Sequence, residues 1–346
     1  MAKAPIGYEE FRQSLKAGAI GRLYLFEGDE EYLKSLSLHL LSDQLLTGPF
    51  GDMNRTELKD PDAAALIAAC ETLPLMASRR LVVVRESGML SGKSGDYDEA
   101  DAAARLRDYL PGLPETTVLL FYVRSNADKR KRLYKVLGET GAIVRFDRQT
   151  KEMLRKYIAT TLHKEGLRIS GDACDLLQFS VGDDLTVLNG ELNKLISSVM
   201  GKDEVTADDI RSICSLNTEY KVFELASTVL KGNGPQAFNM LNGLIRDGEQ
   251  RLMLLSLLCR QCRQMFDAAV MKKTGAQSYQ IAQQLGIPAF AARELMELSG
   301  KYSIDQLAQM VHDCTETEYL VKSGQLPEEG SMERAMTAIL ALRGKN

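Results

Sequence analysis

At 346 residues the chain is too long for one compact core and should divide into two or three domains. Its 43 lysines and arginines against 47 acids leave a formal charge of -4, which excludes a free-standing nucleic-acid binder held by wholesale phosphate neutralisation; any DNA contact must be local or shared. No stretch approaches about 18 uninterrupted apolar residues, "MAKAPIGYEEF" carries no apolar signal core, and the cysteines are scattered through apolar helical contexts, so the expectation is a reducing cytoplasm with no membrane partner.

Apolar, β-branched runs recur through the first 147 residues: "RLYLFE" (22–27), "NRTEL" (54–58), "RRLVVVRE" (79–86), "TTVLLFYV" (116–123) and "GAIVRF" (141–146). Between them lie helical patterns, "EEYLKSLSLHLLSDQLL", "DAAALIAACETL", "YDEADAAARLRDYL" and "DKRKRLYKVLGE". Strands separated by helices predict a parallel five-stranded sheet with helices on both faces. The third and fourth runs are nearly all apolar, as central strands should be.

The first strand runs into Gly28, and from there to Lys34 and Ser35 the spacing fits a phosphate loop, G-x-x-x-x-G-K-[ST], except that Leu33 replaces the second glycine. Such a loop works by pointing backbone N–H groups, a lysine and a magnesium-holding hydroxyl at a polyanion. Here Asp29, Glu30 and Glu31 fill the interior, each repelling a triphosphate by about 1 kcal/mol or more. The plainer reading is a helix start: Asp29 as cap, Glu30 and Glu31 favoured by the helix dipole, Lys34 solvated. A second near-miss, "SGMLSGKSG" (87–95), holds Gly92, Lys93 and Ser94, but Gly88 is one position out of register and an acidic run follows, so it reads as a polar loop. After the third strand, Glu86 alone follows an arginine and makes a poor magnesium box. No nucleotide cofactor is expected, and the rival is an active P-loop ATPase of the same fold.

Pro74 interrupts the helix before the third strand and places Leu75 and Met76 beside the break, ahead of Ser78, Arg79 and Arg80. From the residues alone, this apolar pair reads most simply as a staple folded back on the core. After the fourth strand, "VRSNADKRKRLYK" sets Arg124, Lys129, Arg130, Lys131, Arg132 and Lys135 against the single acid Asp128. A solvated helix face is the ordinary reading; a surface for DNA or an acidic neighbour is the functional one.

Beyond Phe146 the strand signal disappears. Residues 148–213 read as a small helical unit, with Gly166, Gly182 and Gly201 suited to helix C-caps and Ser170 and Thr206 to helix starts. Residues 214–346 read as a second, larger helical domain. In "RLMLLSLLCRQCRQMF", Leu252, Leu255 and Cys259 make one apolar stripe and Leu254, Leu258 and Cys262 another, which implies either deep burial or a subunit interface. Cys259 and Cys262 lack the further ligands a zinc site needs, and His39, His163 and His312 lie in different expected domains. Neither a metal site nor a catalytic set is expected.

The runs "YLFEGDEEYL", "TLPLMASRRLVVV", "VRSNADKRKRLYK" and "YLVKSGQ", in this order and spacing, resemble the delta subunits of bacterial DNA polymerase III along essentially the whole chain. No single motif is sharp. The resemblance implies a fold class of α/β plus all-α: an AAA+-like module at 1–147 with a degenerate nucleotide site, a helical lid at 148–213 and a helical collar at 214–346. It implies a non-hydrolysing clamp-loader subunit, without catalysis of its own, inside a DNA-directed DNA polymerase complex. Its collar would assemble with tau/gamma and delta-prime types of subunit, and primed DNA would be met only in that complex, with Lys129, Arg130 and Arg132 as candidate contacts. Leu75 and Met76, flanked by Pro74, Ser78 and Arg79, would enter a hydrophobic pocket of the sliding clamp, the beta subunit, and help to open it; methionine stands where the family usually has an aromatic. Ser125 and Asn126 would occupy the γ-phosphate-sensing position of an active relative, and with no nucleotide they read as a helix cap. A helical scaffold unrelated to replication is the third reading.

Overall fold

Leu81–Val84 and Val118–Phe121 are fully buried, which is why their runs are apolar on both faces of the strand. They belong to β4 (Arg80–Arg85) and β5 (Thr117–Tyr122), neighbours in a parallel sheet with β1 (Ile6–Gly7), β2 (Leu23–Glu27), β3 (Arg55–Lys59) and β6 (Ala142–Arg145). The strand order is β1-β6-β2-β5-β4-β3. Six strands stand where five were expected: the additional one is a two-residue pairing of Ile6 and Gly7 with Val144 and Arg145, too short to leave a period in the sequence. β3, at the opposite edge, alternates half-buried and exposed positions, as its polar sequence requires. The computed structural model describes residues 4–91 and 98–343, in two compact units divided between Thr150 and Lys151.

In the first unit the crossovers are made by α1 (Tyr8–Lys16), α2 (Glu31–Leu45), α3 (Ala63–Glu71), α4 (Glu99–Tyr109) and α5 (Arg132–Thr140). Asp62 caps α3 and Asp98 caps α4, each accepting backbone N–H bonds from the first turn. One face of the sheet packs Leu25, Val82, Val84, Leu119 and Phe121 against Leu66, Leu106, Leu133 and Leu137 from the helices. β2 lies between β5 and β6, and β3 through β5 fill the sheet on one side of it, so the chain leaving β2 emerges where the strand order reverses. In open parallel sheets that is the ligand crevice.

The second unit contains α6 (Lys151–Lys164), α7 (Gly171–Val181), α8 (Leu185–Ser198), α9 (Ala207–Ile213), α10 (Thr218–Leu230), α11 (Gly234–Arg246), α12 (Arg251–Lys273), α13 (Ser278–Leu285), α14 (Ala289–Ser299), α15 (Ile304–Lys322) and α16 (Ser331–Arg343). It is not wholly helical: Arg168–Ile169 and Glu204–Val205 pair as a two-residue parallel ladder. Gly166, Gly182 and Gly201 take positive φ after their helices, Ser170 caps α7, and Thr206 and Asp209 form a reciprocal capping box at α9. α12 packs against α10, α14, α15 and α16, which buries Leu254, Leu258 and Cys262 of one apolar stripe and Leu255 and Cys259 of the other, leaving Leu252 half-buried. Among the described residues, no helix is long and apolar enough to cross a membrane.

Candidate functional site

The loop after β2 has the outline of a phosphate cradle and a different use for its atoms. Gly28 has φ of 112°, and a Cβ there would lie 2.3 Å from the Phe146 carbonyl oxygen. Glycine is required because two segments of the protein's own backbone meet. The Gly28 N–H donates to the Ser125 carbonyl (3.2 Å) and the Glu30 N–H to the Phe146 carbonyl (3.0 Å). Two of the amides that would face an anion are therefore already satisfied by the chain.

Lys34 departs most from expectation. Read as a solvated helix residue, it is fully buried; its Nζ donates to the Val123 and Arg124 carbonyls at 2.9 and 2.6 Å and lies 3.0 Å from Glu31. The reason is the end of β5, whose terminal carbonyls have lost their strand partners and need a donor in a dry place. Glu31 in turn accepts from the Tyr122 hydroxyl at 2.5 Å; burial first, and then this bond, push the Tyr122 pKa up. Glu27, buried at the end of β2, accepts from Arg145 (3.2 Å) and from the Ala127 N–H (3.2 Å). Ser35 is exposed. Glu30 rather than Asp29 occupies the N-cap of α2, with no side-chain cap bond. Ser125 and Asn126 cap no helix, since α5 begins only at Arg132. Gly92, Lys93 and Ser94 of the second near-miss lie outside the described residues.

The segment between α3 and β4 is built the opposite way. α3 ends at Glu71, Thr72 leaves in an extended conformation, and Pro74 prevents any return to helix. Leu75 is 50% and Met76 83% exposed, so the staple reading is overturned: the pair does not fold back on the core. Met76 also holds a left-handed φ of 49°. Pro74 is half-buried and Ser78 exposed. Arg79 is half-buried, its guanidinium donating to the Ile20 carbonyl at 3.2 Å, while buried Arg80 donates to the Thr72 carbonyl and the Thr56 hydroxyl. These bonds moor both ends of the exposed stretch.

Sequence reasoning missed the neighbours of that pair. Leu73 is 77% exposed, and Phe50 and Met53, in and beside a 3-10 turn at Gly51–Asn54, are exposed as well. Among the described residues of the first unit, the exposed large apolar side chains all fall within 50–53 and 73–76. Exposed apolar surface confined in this way makes these residues a candidate binding face. Asn54 was overlooked because an asparagine before a strand reads as turn chemistry. It is buried, and its amide bonds both backbone groups of Leu75.

The basic segment is a turn rather than a helical stripe over 128–131. Asp128 accepts from the Arg130 backbone N–H and from its guanidinium, and those bonds lower its pKa to about 2. Lys129, Arg130, Arg132 and Arg124 are all exposed, Arg130 paired with Asp128 and Arg124 with Glu86 at 3.2 Å. All six cysteines face inward: Cys174, Cys214, Cys259, Cys262 and Cys314 of the second unit are buried thiols, as is Cys70 in the first. Burial pushes the Cys70 and Cys214 thiols up to about 12, away from reactive thiolate. His312, Asp313 and Glu316 bring their ligand atoms within 4.8 Å of one another, as i, i+1 and i+4 on one turn of α15.

Comparison with known proteins follows this division of the chain. Residues 24–147 match the family model described as DNA polymerase III, delta subunit, and residues 219–339 the model for the C-terminal domain of the same subunit. The DNA polymerase III subunit delta of Bacillus subtilis is 22% identical over 337 residues, covering 96% of this chain and 97% of the relative. A probable DNA polymerase III subunit delta of Aquifex aeolicus is 23% identical over 154 residues, 44% of each chain. In fold, the DNA clamp loader delta protein of Bacillus subtilis superposes with a TM-score of 0.56 at 20% identity, over 96% of this chain and 99% of that one.

Proposed function

Because the chain belongs to the DNA polymerase III delta subunit family, and so to the clamp-loading machinery of DNA replication, we propose that it binds and opens the sliding clamp without hydrolysing a nucleotide. The observation that carries this reading is the exposure of Leu75 and Met76 on a segment fixed at both ends. Buried in an apolar pocket of the clamp, such side chains contribute about 1.5 to 3 kcal/mol each, and methionine adapts to an imperfect pocket. Binding energy realised only on the opened clamp interface shifts the ring towards its open form; no chemical step is needed. Ser78 and Arg79 lie at the rim, with Arg79 already partly engaged by Ile20.

The remaining roles rest on the same family reading. The helical collar (214–346), beyond the helical lid (148–213), serves assembly with tau/gamma- and delta-prime-type subunits in the cytoplasm. Exposed Lys129, Arg130 and Arg132 face primed DNA in the assembled loader, where local basic contacts suffice despite the overall negative charge. The arrangement of Gly28, Glu30 and Lys34 supports a subunit that needs no nucleotide: their donors are held by Ser125, Phe146, Val123 and Arg124.

The deciding experiment presents immobilised cognate clamp to the wild-type chain and to Leu75→Ala/Met76→Ala. We expect retention of the first, loss of the second and identical circular dichroism spectra. Equal retention of both chains sinks the assignment.

A further inference from the structure

We propose that Asn54 is the positioning residue that holds the Leu75–Met76 pair ready for the clamp, an inference that rests on the clamp-binding reading of that pair. Asn54 is 1% exposed, and its amide makes three hydrogen bonds. Oδ1 accepts the Leu75 N–H at 2.6 Å, while Nδ2 donates to the Leu75 carbonyl at 2.9 Å and to the Phe50 carbonyl at 3.0 Å. Both amide hydrogens and one oxygen lone pair are thus used, and only this orientation of the amide satisfies all three partners. Leu75 is gripped by its N–H and its C=O together, as in a rung of antiparallel sheet, from a residue 21 positions earlier in the chain.

This grip has a purpose that core packing cannot serve. Residues 72–79 lie outside helix and strand, and Leu73, Leu75 and Met76 are exposed rather than packed on the core. Next to the gripped residue, Met76 keeps a left-handed backbone that a side chain disfavours. Without an anchor the segment would relax among many conformers, and binding would bear the cost of ordering it. Asn54 closes the 3-10 turn at Gly51–Asn54 and leads directly into β3, so the anchor is itself attached to the sheet. Apart from its backbone, Leu75 offers Asn54 nothing to read: the device fixes where the side chains stand, whichever apolar residues they are.

The test uses the full chain, with Asn54→Ala and Asn54→Asp alone and with Leu75→Ala. Asparagine-to-aspartate retains the acceptor for the Leu75 N–H and replaces the donor by a carboxylate facing two carbonyls. We expect Asn54→Ala to weaken clamp binding at least tenfold and to speed exchange of the Leu75 amide, with exchange in β4 unchanged. Asn54→Asp should keep the Leu75 amide protected while still weakening binding. In the Leu75→Ala background, Asn54→Ala should add less than the tenfold it costs the wild-type chain, because only Met76 remains to be positioned. If Leu75→Ala weakens binding but Asn54→Ala leaves it within twofold of wild type, the positioning role is overturned and the wedge survives. If neither variant affects binding, the clamp-binding reading itself fails. Exchange accelerated equally throughout β4 would make Asn54 a general fold residue and overturn the inference; should Asn54→Ala not fold, the Asn54→Asp arm decides by the same criteria.

Discussion

The loop from Gly28 to Ser35 and the segment from Thr72 to Arg79 break the usual rules of burial in opposite directions. The first buries a lysine completely and satisfies it with backbone carbonyls; the second exposes leucine and methionine. Both contain a positive φ, at Gly28 and at Met76. In the loop that conformation is given to glycine, where a side chain would strike Phe146. In the segment it falls on methionine despite the cost, the kind of strained position that clusters at functional sites. The contrast teaches where interactions remain available. Polar capacity at the crevice after β2 is consumed internally, while apolar capacity beside Pro74 is left exposed.

The largest effect expected from this contrast is on affinity. Leu75→Ala/Met76→Ala removes two side chains worth about 3 to 6 kcal/mol together if both are buried on binding, a loss of at least about a hundredfold. Surface plasmon resonance against the clamp measures it, and chemical denaturation should show stability unchanged within about 0.5 kcal/mol, as for other exposed positions. A large loss of stability instead would mean that the pair supports the core, and the contrast would collapse. Next comes Gly28→Ala, which sets a Cβ against a backbone oxygen at a φ that alanine disfavours. It should destabilise the first unit by about 3 kcal/mol. An unaltered urea midpoint would show that the Gly28–Phe146 approach is loose enough to admit a ligand.

How much of this was legible in the sequence depends on what each feature leaves in the pattern. The central strands β4 and β5 announced themselves because burial on both faces demands continuous apolar runs. The two-residue strands could not, since a pairing of that length is set by neighbouring backbone rather than by side-chain alternation. Caps at Ser170 and Thr206 were readable because their chemistry is local. Lys34 and Asn54 were not: besides near neighbours, they bond backbone groups 89 to 90 and 21 residues away, and nothing in a lysine or an asparagine tells which carbonyl it will meet. Leu75 and Met76 were found as candidates through the proline beside them and the family resemblance. Their residue types alone favoured the core, which is the opposite of their place in the structure.

A smaller effect tests the polar side of the contrast. Lys34→Met keeps the apolar stem and removes the ammonium, leaving the Val123 and Arg124 carbonyls without their donor. A stability loss of about 2 kcal/mol is expected by urea denaturation. Isothermal titration with ATP should give the same result for this variant and the wild type, since Lys34 is committed to the strand end. Submicromolar binding by the wild type that disappears in Lys34→Met would reverse the contrast and restore the crevice as a nucleotide site.

The smallest effect is the sharpest discriminator, because it carries opposite signs in the two assays. Met76→Gly relieves a left-handed strain of about 1–2 kcal/mol but adds freedom to the unfolded chain worth about 0.5–1 kcal/mol. The net gain in stability should be about 0.5 kcal/mol, read as a slightly raised melting temperature, while clamp affinity falls because half of the apolar pair is gone. At Gly28 the backbone conformation and the residue agree, so no substitution there can raise stability. At Met76 they disagree, and the side chain that stands at the disfavoured conformation is exposed. If Met76→Gly instead lowers stability by more than about 1 kcal/mol, methionine is contributing to the folded unit itself, and its exposure no longer distinguishes this segment from an ordinary surface loop.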